Sequence, residues 1–594
     1  MTELSPSASA ELSTTRAWLL ALLMATFVFV GIAPTLTWPE FTGGNENIVV
    51  QTALEMRHGG PWLVPNMMGE PRVKKPPLVA WITALSMRPA TVAGLEDPQG
   101  RNAAYHALAW QVRWTGLLAG CVMMLATFEL GRVIGGTTTG LCAAAAVATN
   151  LLFLKYMRQS TSDVHLAMWT TIANAAFVHG LLRKRWWLAA TLGAFATGMA
   201  FLCKGPVALL ETVLPLTILL PFRARLLTPL TGERLGEGIS GKTPAERETA
   251  RQGLSASASP HLTSPQGEGQ EASPLTWVLR FLLGLLIFAA VALPWFLHVY
   301  LVVPNVWHTW FTEVSRQGAT DLKPDSPLTY LQLIPSLWPW IVFGFIGLLA
   351  CRDDRRLRIA LVQIVLPLLV MTLFKDRKER YLLPMIAPAA VLCGGGAALW
   401  WRELRSPATW PRAVLIVHAI VLFGGAIAFV IIGTQQKTLA GGRWFSPTLA
   451  TWSLVALASL AGLWWIAQRR RRSAVIGFTM IVMLGLGGLF MFGYSQTANA
   501  ISPFKPMANQ IRQLGDVPVH DWIDPDDADK RVDEGFPIYL NRTVTRADPA
   551  TLTGPAVVIL KQQNDSKPTP TLPPPWRPMA TAREKRILWW AFER

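Results

Sequence analysis

Charge is scarce in this sequence: Asp, Glu, Lys and Arg make up 15% of its 594 residues, against about 25% in an average soluble domain. So little charge excludes an ordinary water-soluble enzyme of this length. Cysteine is scarce too. Cys121, Cys142, Cys203, Cys351 and Cys393 all lie in or beside apolar runs, without paired spacing. That pattern excludes a disulfide framework or a cysteine-rich metal site and leaves them as small packing residues. Acidic residues are outnumbered, 37 to 54, and the net charge is +17. The basic residues stand in short clusters between apolar runs, as short cytoplasmic loops require, so no nucleic-acid partner is expected.

What is abundant is apolar surface. Hydrophobic residues reach 51%, with 26 Trp, a residue that favours membrane interfaces. Apolar runs near the ~20 residues that cross a hydrocarbon core recur along the chain, and in lipid such runs must be helices. They fall near 17–36, 112–131, 137–154, 164–182, 186–203, 206–222, 276–299, 328–350, 359–374, 381–400, 412–433, 447–467 and 474–493. The first is too long for a secretory core segment and reads as an uncleaved helix. The expectation is an all-α polytopic membrane protein of about 13 transmembrane helices.

Basic residues give the sidedness. Arg132, Arg183 to Arg185, Arg223 and Arg225, Arg352 to Arg358, Arg402 and Arg405, and Arg469 to Arg472 each follow an even-numbered run. The positive-inside rule then places residues 1–16 in the cytoplasm as an N-terminal tail and the chain's end outside. Residues 17–493 form the membrane domain, with a long outer loop at 37–111. Residues 224–275, rich in Gly, Ser, Thr and Pro, read as a flexible cytoplasmic insert. Residues 494–594 read as a small extracytoplasmic α/β domain, with a helix at Met507 to Leu514 and strands at Phe536 to Leu540 and Ala556 to Leu560.

The chemistry gathers at the outer face. Asn45-Glu46 opens the first outer loop after Gly43-Gly44, and Lys75-Pro76-Pro77 nears its end. Asp163 stands where an outer connection meets the fourth helix; it is either a helix cap or a catalytic carboxylate. Lys204-Gly205-Pro206 marks another outer boundary, and Glu211 is an intramembrane acid that should face protein or water. The cluster Lys375-Asp376-Arg377-Lys378-Glu379-Arg380-Tyr381 puts basic residues outside, against the charge rule. A polar outer turn of intermingled salt bridges is one reading; a phosphate pocket explains the violation better, because Arg bonds phosphate oxygens through two parallel N–H groups. An outer loop with Glu313 and Arg316 should lie near it.

This ordered series resembles the GT-C membrane glycosyltransferases of the protein mannosyltransferase and aminoarabinose (lipid A) transferase type. The matching pieces run from Asn45-Glu46 through Glu55-Met56, Trp62, Pro65, Gly69 and Lys75-Pro76-Pro77-Leu78. They continue with Ser162-Asp163, Lys204-Gly205-Pro206, Leu293-Pro294-Trp295, Glu313 with Arg316, and Arg380-Tyr381-Leu382-Leu383-Pro384. The resemblance implies transfer of a sugar from a polyprenyl-phosphate donor to a lipid, glycan or protein acceptor of the cell envelope. It implies an active site on the outer side of the cytoplasmic membrane, with inversion at the anomeric carbon. An acid of the first loop works at the acceptor, so Glu46 and Asp163 are the candidate catalytic carboxylates. Asn45, Lys75, Lys204, Glu313, Arg316, Arg377, Lys378, Arg380 and Tyr381 are the candidate substrate-binding residues.

The sequence departs from that family in three places. Asn45 stands where the family usually has Asp and cannot accept a proton, Lys74 replaces a frequent acid, and Val314 replaces a frequent His after Glu313. These changes argue against carrying over a zinc site and against assuming the same sugar; no cofactor is implied, and the need for a divalent metal stays open. A non-catalytic lipid-glycan binding protein and a lipid or sugar transporter are the alternative classes.

Overall fold

The computed structural model describes residues 12–41, 44–227, 273–316, 326–374, 377–403, 409–436, 443–470, 474–501, 504–522, 535–562, 572, 574–584 and 587–594. Almost all of the insert expected at 224–275 therefore lies outside the described residues, as do Lys375 and Asp376.

Helices cover all thirteen apolar runs. Nine, among the described residues, are long and apolar enough to cross a membrane, and a tenth span is the pair Leu328–Ser336 and Ile341–Ala350, bent by 103°. Two of the remaining runs form shorter apolar helices, Thr137–Ala148 and Leu357–Met371. The last, Ser162–Arg183, carries Asp163, His165, Asn174 and His179 within its length and buries all four. Such a helix is stable at membrane depth only when packed inside protein.

Burial separates centre from rim. The span Glu379–Glu403 is 89% buried over its most apolar stretch, whereas Pro274–Val302 and Pro447–Ala467 are each 17% buried and present their sides to lipid. The central helix packs by glycine. A Cβ added at Gly396 would sit 2.0 Å from the Phe343 carbonyl oxygen, and one at Gly347 would sit 1.9 Å from that of Leu392. Backbones touch there, which is how helices associate where no hydrophobic force drives them.

The segment 37–111 is largely helical. It contains helices Gly44–Arg57, Leu78–Ser86 and Pro89–Gly94, and the next helix begins at Arg101 and runs to Gly135. At 1.5 Å per residue those 35 residues span about 52 Å, so the helix projects well beyond a ~30 Å core. Its first turns escape a hydropathy reading because Tyr105, Leu108 and Val112 pack into a cluster shared by the segment 41–112 and the C-terminal domain, not against lipid.

That domain carries a mixed five-stranded sheet. After a small hairpin in the outer loop (β1, Asn66–Met67; β2, Glu70–Pro71), the strands are β3 (Val519–Trp522), β4 (Val544–Arg546), β5 (Val557–Gln562), β6 (Arg577–Glu584) and β7 (Ile587–Glu593). Their order is β4-β3-β5-β7-β6, parallel for the first three and antiparallel for the rest. The expected helix appears as Phe504–Arg512 and the second expected strand as β5. The first expected strand does not: Phe536 to Leu540 lies in a helix, Gly535–Leu540. Pro537 explains the correction, since it offers no N–H to a ladder but is tolerated in a first helical turn.

The domain grips the segment that leads to Glu46. The Phe41 amide donates to the Tyr539 hydroxyl (2.7 Å), and the Tyr105 hydroxyl donates to the Tyr539 carbonyl (2.7 Å). Asn499 pairs with both Glu40 N and Trp38 O, each at 2.8 Å.

Candidate active site

The loop between Gly60 and Pro77 has little regular structure of its own, so side chains hold its backbone. Three indoles donate to it: Trp81 to the Trp62 carbonyl, Trp295 to that of Leu63 and Trp310 to that of Val73, at 2.7, 2.7 and 2.9 Å. From the other side the Glu55 carboxylate accepts from the Met68 amide (2.6 Å) and from the Gln51 amide group (2.9 Å). The loop thereby delivers Lys75 to a fixed place.

There Lys75 comes within electrostatic range of residues from three other elements. Asp163, in the first turn of Ser162–Arg183, is 4% exposed and forms an ion pair with Lys204. Lys204 ends the helix Ala194–Lys204, and Gly205, at φ +72°, turns the chain directly after it. Arg380 brings its Nε to 3.6 Å from Asp163 Oδ2. The Lys204 ammonium lies 4.1 Å from the centre of the Tyr381 ring and the Arg380 guanidinium 5.2 Å, both close enough for cation–π attraction. Lys75, Lys204 and Arg380 are thus three cations around one carboxylate, an excess of positive charge that suits an anion of two negative charges.

Lys75 itself shows the strain of this crowd. Burial pushes its ammonium down to about 8, and Lys204, Arg72 and Arg380 add to the fall against the pull of Asp163. The sign for ligand binding follows. Lys75 is cationic below about pH 8 and neutral above, so affinity for a phosphate should fall as pH rises through that value. A binding titration from pH 7 to 9.5 checks this, and Lys75→Met should flatten the step. For stability, the unfolded lysine keeps its proton up to about 10.4, so folding gains as pH rises between the two values.

Glu46 stands in a different setting. It is 3% exposed, and Arg113 meets it with two bonds of 2.8 Å, from Nε and Nη2. The remaining donors of Arg113 reach the carbonyls of Leu36 (2.7 Å), Pro39 (2.6 Å) and Glu40 (3.2 Å), so all five N–H groups are used. The Ser160 amide also donates to Glu46 Oε1 (3.1 Å). Ser160 is three residues before Asp163, so one short loop links the two carboxylates. Asn45, beside Glu46, is half-buried in the first turn of Gly44–Arg57.

The other expected residues lie nearby or out of view. Arg377 donates to the Thr372 carbonyl at the end of the preceding helix (2.8 Å), and Lys378 precedes the short turn Glu379–Leu382. Glu313 and Arg316 fall in the helix Val306–Arg316, but their side chains lie outside the described residues. Glu211 is 3% exposed, and neither carboxyl oxygen has a partner among the described residues. No group of three His, Cys, Asp or Glu converges among the described residues, and the neighbours of Asp163 are cations. That donor set does not fit a divalent ion.

Sequence reasoning missed Arg113, Lys155 and Arg158. Arg113 was legible only as a charge at the edge of an apolar run, and its partners lie 67 to 77 residues away. Lys155 forms an ion pair with Glu379, to which the Tyr156 hydroxyl also donates (2.8 Å).

The geometry agrees with what the chain resembles. Residues 101–231 match the family of dolichyl-phosphate-mannose-protein mannosyltransferases. The undecaprenyl phosphate-alpha-4-amino-4-deoxy-L-arabinose arabinosyl transferase of Pseudomonas savastanoi pv. phaseolicola is 26% identical over 430 residues, covering 70% of this chain and 68% of that one. Its counterpart in Aeromonas hydrophila is 23% identical over 491 residues, covering 75% and 76%. The chain is a membrane glycosyltransferase with a GT-C-like fold. The crystal structure of ArnT from Cupriavidus metallidurans bound to undecaprenyl phosphate shares the transferase's fold, with a TM-score of 0.66, 18% identity and 98% coverage of both chains. Its apo form gives 0.67, with 16% identity and the same coverage.

Proposed function

We propose that the transferase moves a sugar, with aminoarabinose the favoured candidate, from undecaprenyl phosphate to a cell-envelope acceptor at the outer face of the cytoplasmic membrane. The observation that carries this reading is the cluster of Lys75, Lys204 and Arg380 around the single carboxylate of Asp163. A polyprenyl phosphate is an anion on an apolar tail, and the cluster offers cations beside membrane-spanning helices. The relatives named for an undecaprenyl-phosphate-linked aminoarabinose support the same donor.

In this reading the acceptor oxygen attacks the anomeric carbon, and the bond from that carbon to the phosphate oxygen breaks with its electron pair. Lys75, Lys204 and Arg380 stabilise the charge that gathers on the leaving phosphate. The acceptor's proton, if it carries one, passes to a carboxylate. Asp163 is the first candidate, because an arriving phosphate competes for the N–H donors that now occupy it. Glu46 is the second, and its bonds to Arg113 must loosen first.

The test is turnover by the full-length protein in nanodiscs. Labelled undecaprenyl-phosphate aminoarabinose and hexose donors are each offered lipid A-containing membranes or protein acceptors. Label transferred from the aminoarabinose donor supports the reading, and no transfer from any polyprenyl-phosphate sugar sinks it. Sidedness has its own test. A reporter inserted after residue 250 should be active only in a cytoplasmic form, and one at the C-terminus only in an extracytoplasmic form. Cytoplasmic activity at both points would defeat the thirteen-helix topology.

A further inference from the structure

A narrow cavity, partly open to the outside, lies beside the Glu46–Arg113 pair. Its lining includes Glu40, Lys155, Arg158, Phe490 and Tyr494. Most of its charges are already spoken for: Glu46 by Arg113, Glu40 by Lys505 and Lys155 by Glu379. Arg158 is the exception. It is 3% exposed and makes no ion pair among the described residues. Its Nε donates to the Thr35 hydroxyl (3.0 Å) and its Nη1 to the Leu154 carbonyl, while Nη2 has no partner among the described residues. Burial without a counter-ion pushes even this guanidinium down to about 10. Charge held in such a place is costly unless a partner arrives.

The surroundings say what kind of partner. Arg158 and Asp163 lie on one short loop, whose Ser160 amide binds Glu46 between them. The Lys155 partner Glu379 adjoins Arg380 of the phosphate cluster. The cavity and the cluster are therefore linked through these segments and share no cation. One wall of the cavity is aromatic: the Phe490 and Tyr494 rings stack at 6.1 Å and 13°, near the end of the span Ala474–Gln496. A flat apolar platform beside one unpaired cation at a membrane interface suits an anionic glycolipid headgroup.

We propose that Arg158 anchors the acceptor, binding a phosphate of its glycolipid headgroup in a subsite separate from the donor phosphate site. This rests on the reading of the chain as a polyprenyl-phosphate-dependent transferase, so the experiment keeps the two apart. Binding of diphosphoryl lipid A and of its dephosphorylated form to the full-length protein in nanodiscs is measured first, without donor. The wild type should bind the diphosphoryl form at least about 10-fold more tightly, and Arg158→Gln should erase that difference. Steady-state transfer is measured second. Arg158→Gln should raise the acceptor KM about 10- to 100-fold and leave the donor KM within about twofold, and Arg158→Lys should recover part of the loss. Should the Arg158 variants fail to fold, Phe490→Leu tests the aromatic wall without touching a charge, with an expected rise in acceptor KM of about 3- to 10-fold.

Equal binding of the two lipids by the wild type would overturn the subsite. So would inorganic phosphate competing equally with both, which would mark a free-anion site. A rise in donor KM with Arg158→Gln would move Arg158 to the donor side and overturn it too. If the wild type discriminates between the lipids but transfers nothing, the transferase reading fails and the anion subsite stands.

Discussion

Replacing Asp163 with Asn should reduce kcat/KM by about 100- to 1,000-fold, the size of effect seen when one preorganised charge contact is removed from an active site. Among the described residues, Asp163 is the one carboxylate in direct ion-pair range of Lys204 and Arg380. An amide keeps the shape but removes the charge, and it can turn an N–H toward the ammonium. Lys204, 11% exposed, would then be a nearly buried cation with no anion in contact. Breaking a buried pair on one side costs about 3–5 kcal/mol, so the variant should also melt earlier. The two effects separate by experiment. Donor phosphate should partly restore the melting temperature of Asp163→Asn, because it supplies the missing charge, but should not restore turnover. Full activity in a well-folded Asp163→Asn protein would remove Asp163 from the chemistry and return it to a helix-capping role.

Removing Arg113 should be strongly destabilising, at about 3–5 kcal/mol. Its side chain is 1% exposed and joins Glu46 to three carbonyls of the segment from Leu36 to Glu40. Arg113→Met strands the Glu46 carboxylate and frees that segment, so expression and thermal stability should both collapse. Glu46→Gln keeps acceptors for Arg113 and should cost less. The double variant Arg113→Met, Glu46→Leu removes both charges and should be more stable than Arg113→Met alone. Activity decides the role of Glu46: a folded Glu46→Gln protein at full turnover shows that its carboxylate is not the base. In the same assay Asn45→Asp asks whether the missing acid limits the rate, and a sharp rise in turnover would show that it does.

The membrane class, the thirteen apolar runs and the series of motif residues were legible because each is a local property. A run of ~20 apolar residues has to be helix in lipid wherever it sits in the chain. Lys75, Asp163, Lys204 and Arg380 were also legible singly, as polar groups at run boundaries where polar groups are expensive. The helical nature of residues 44–57 and 101–111 was not, because those turns bury against a soluble domain and carry no lipid-length hydropathy signal. Phe536 to Leu540 misled for a related reason: a short apolar run does not reveal its period, and packing against Phe504–Arg512 decided for helix.

From its sequence alone, then, this protein's solvent is determined, since hydropathy and charge act residue by residue and need no partner. The grouping of its charges is not. Only the tertiary structure decided that Asp163 would face Lys204 and Arg380, that Glu46 would be locked by Arg113, and that Arg158 would have no ion-pair partner among the described residues. Coulomb energy and hydrogen bonding depend on distances of a few ångströms, and those are set by helices whose contacts lie tens to hundreds of residues apart.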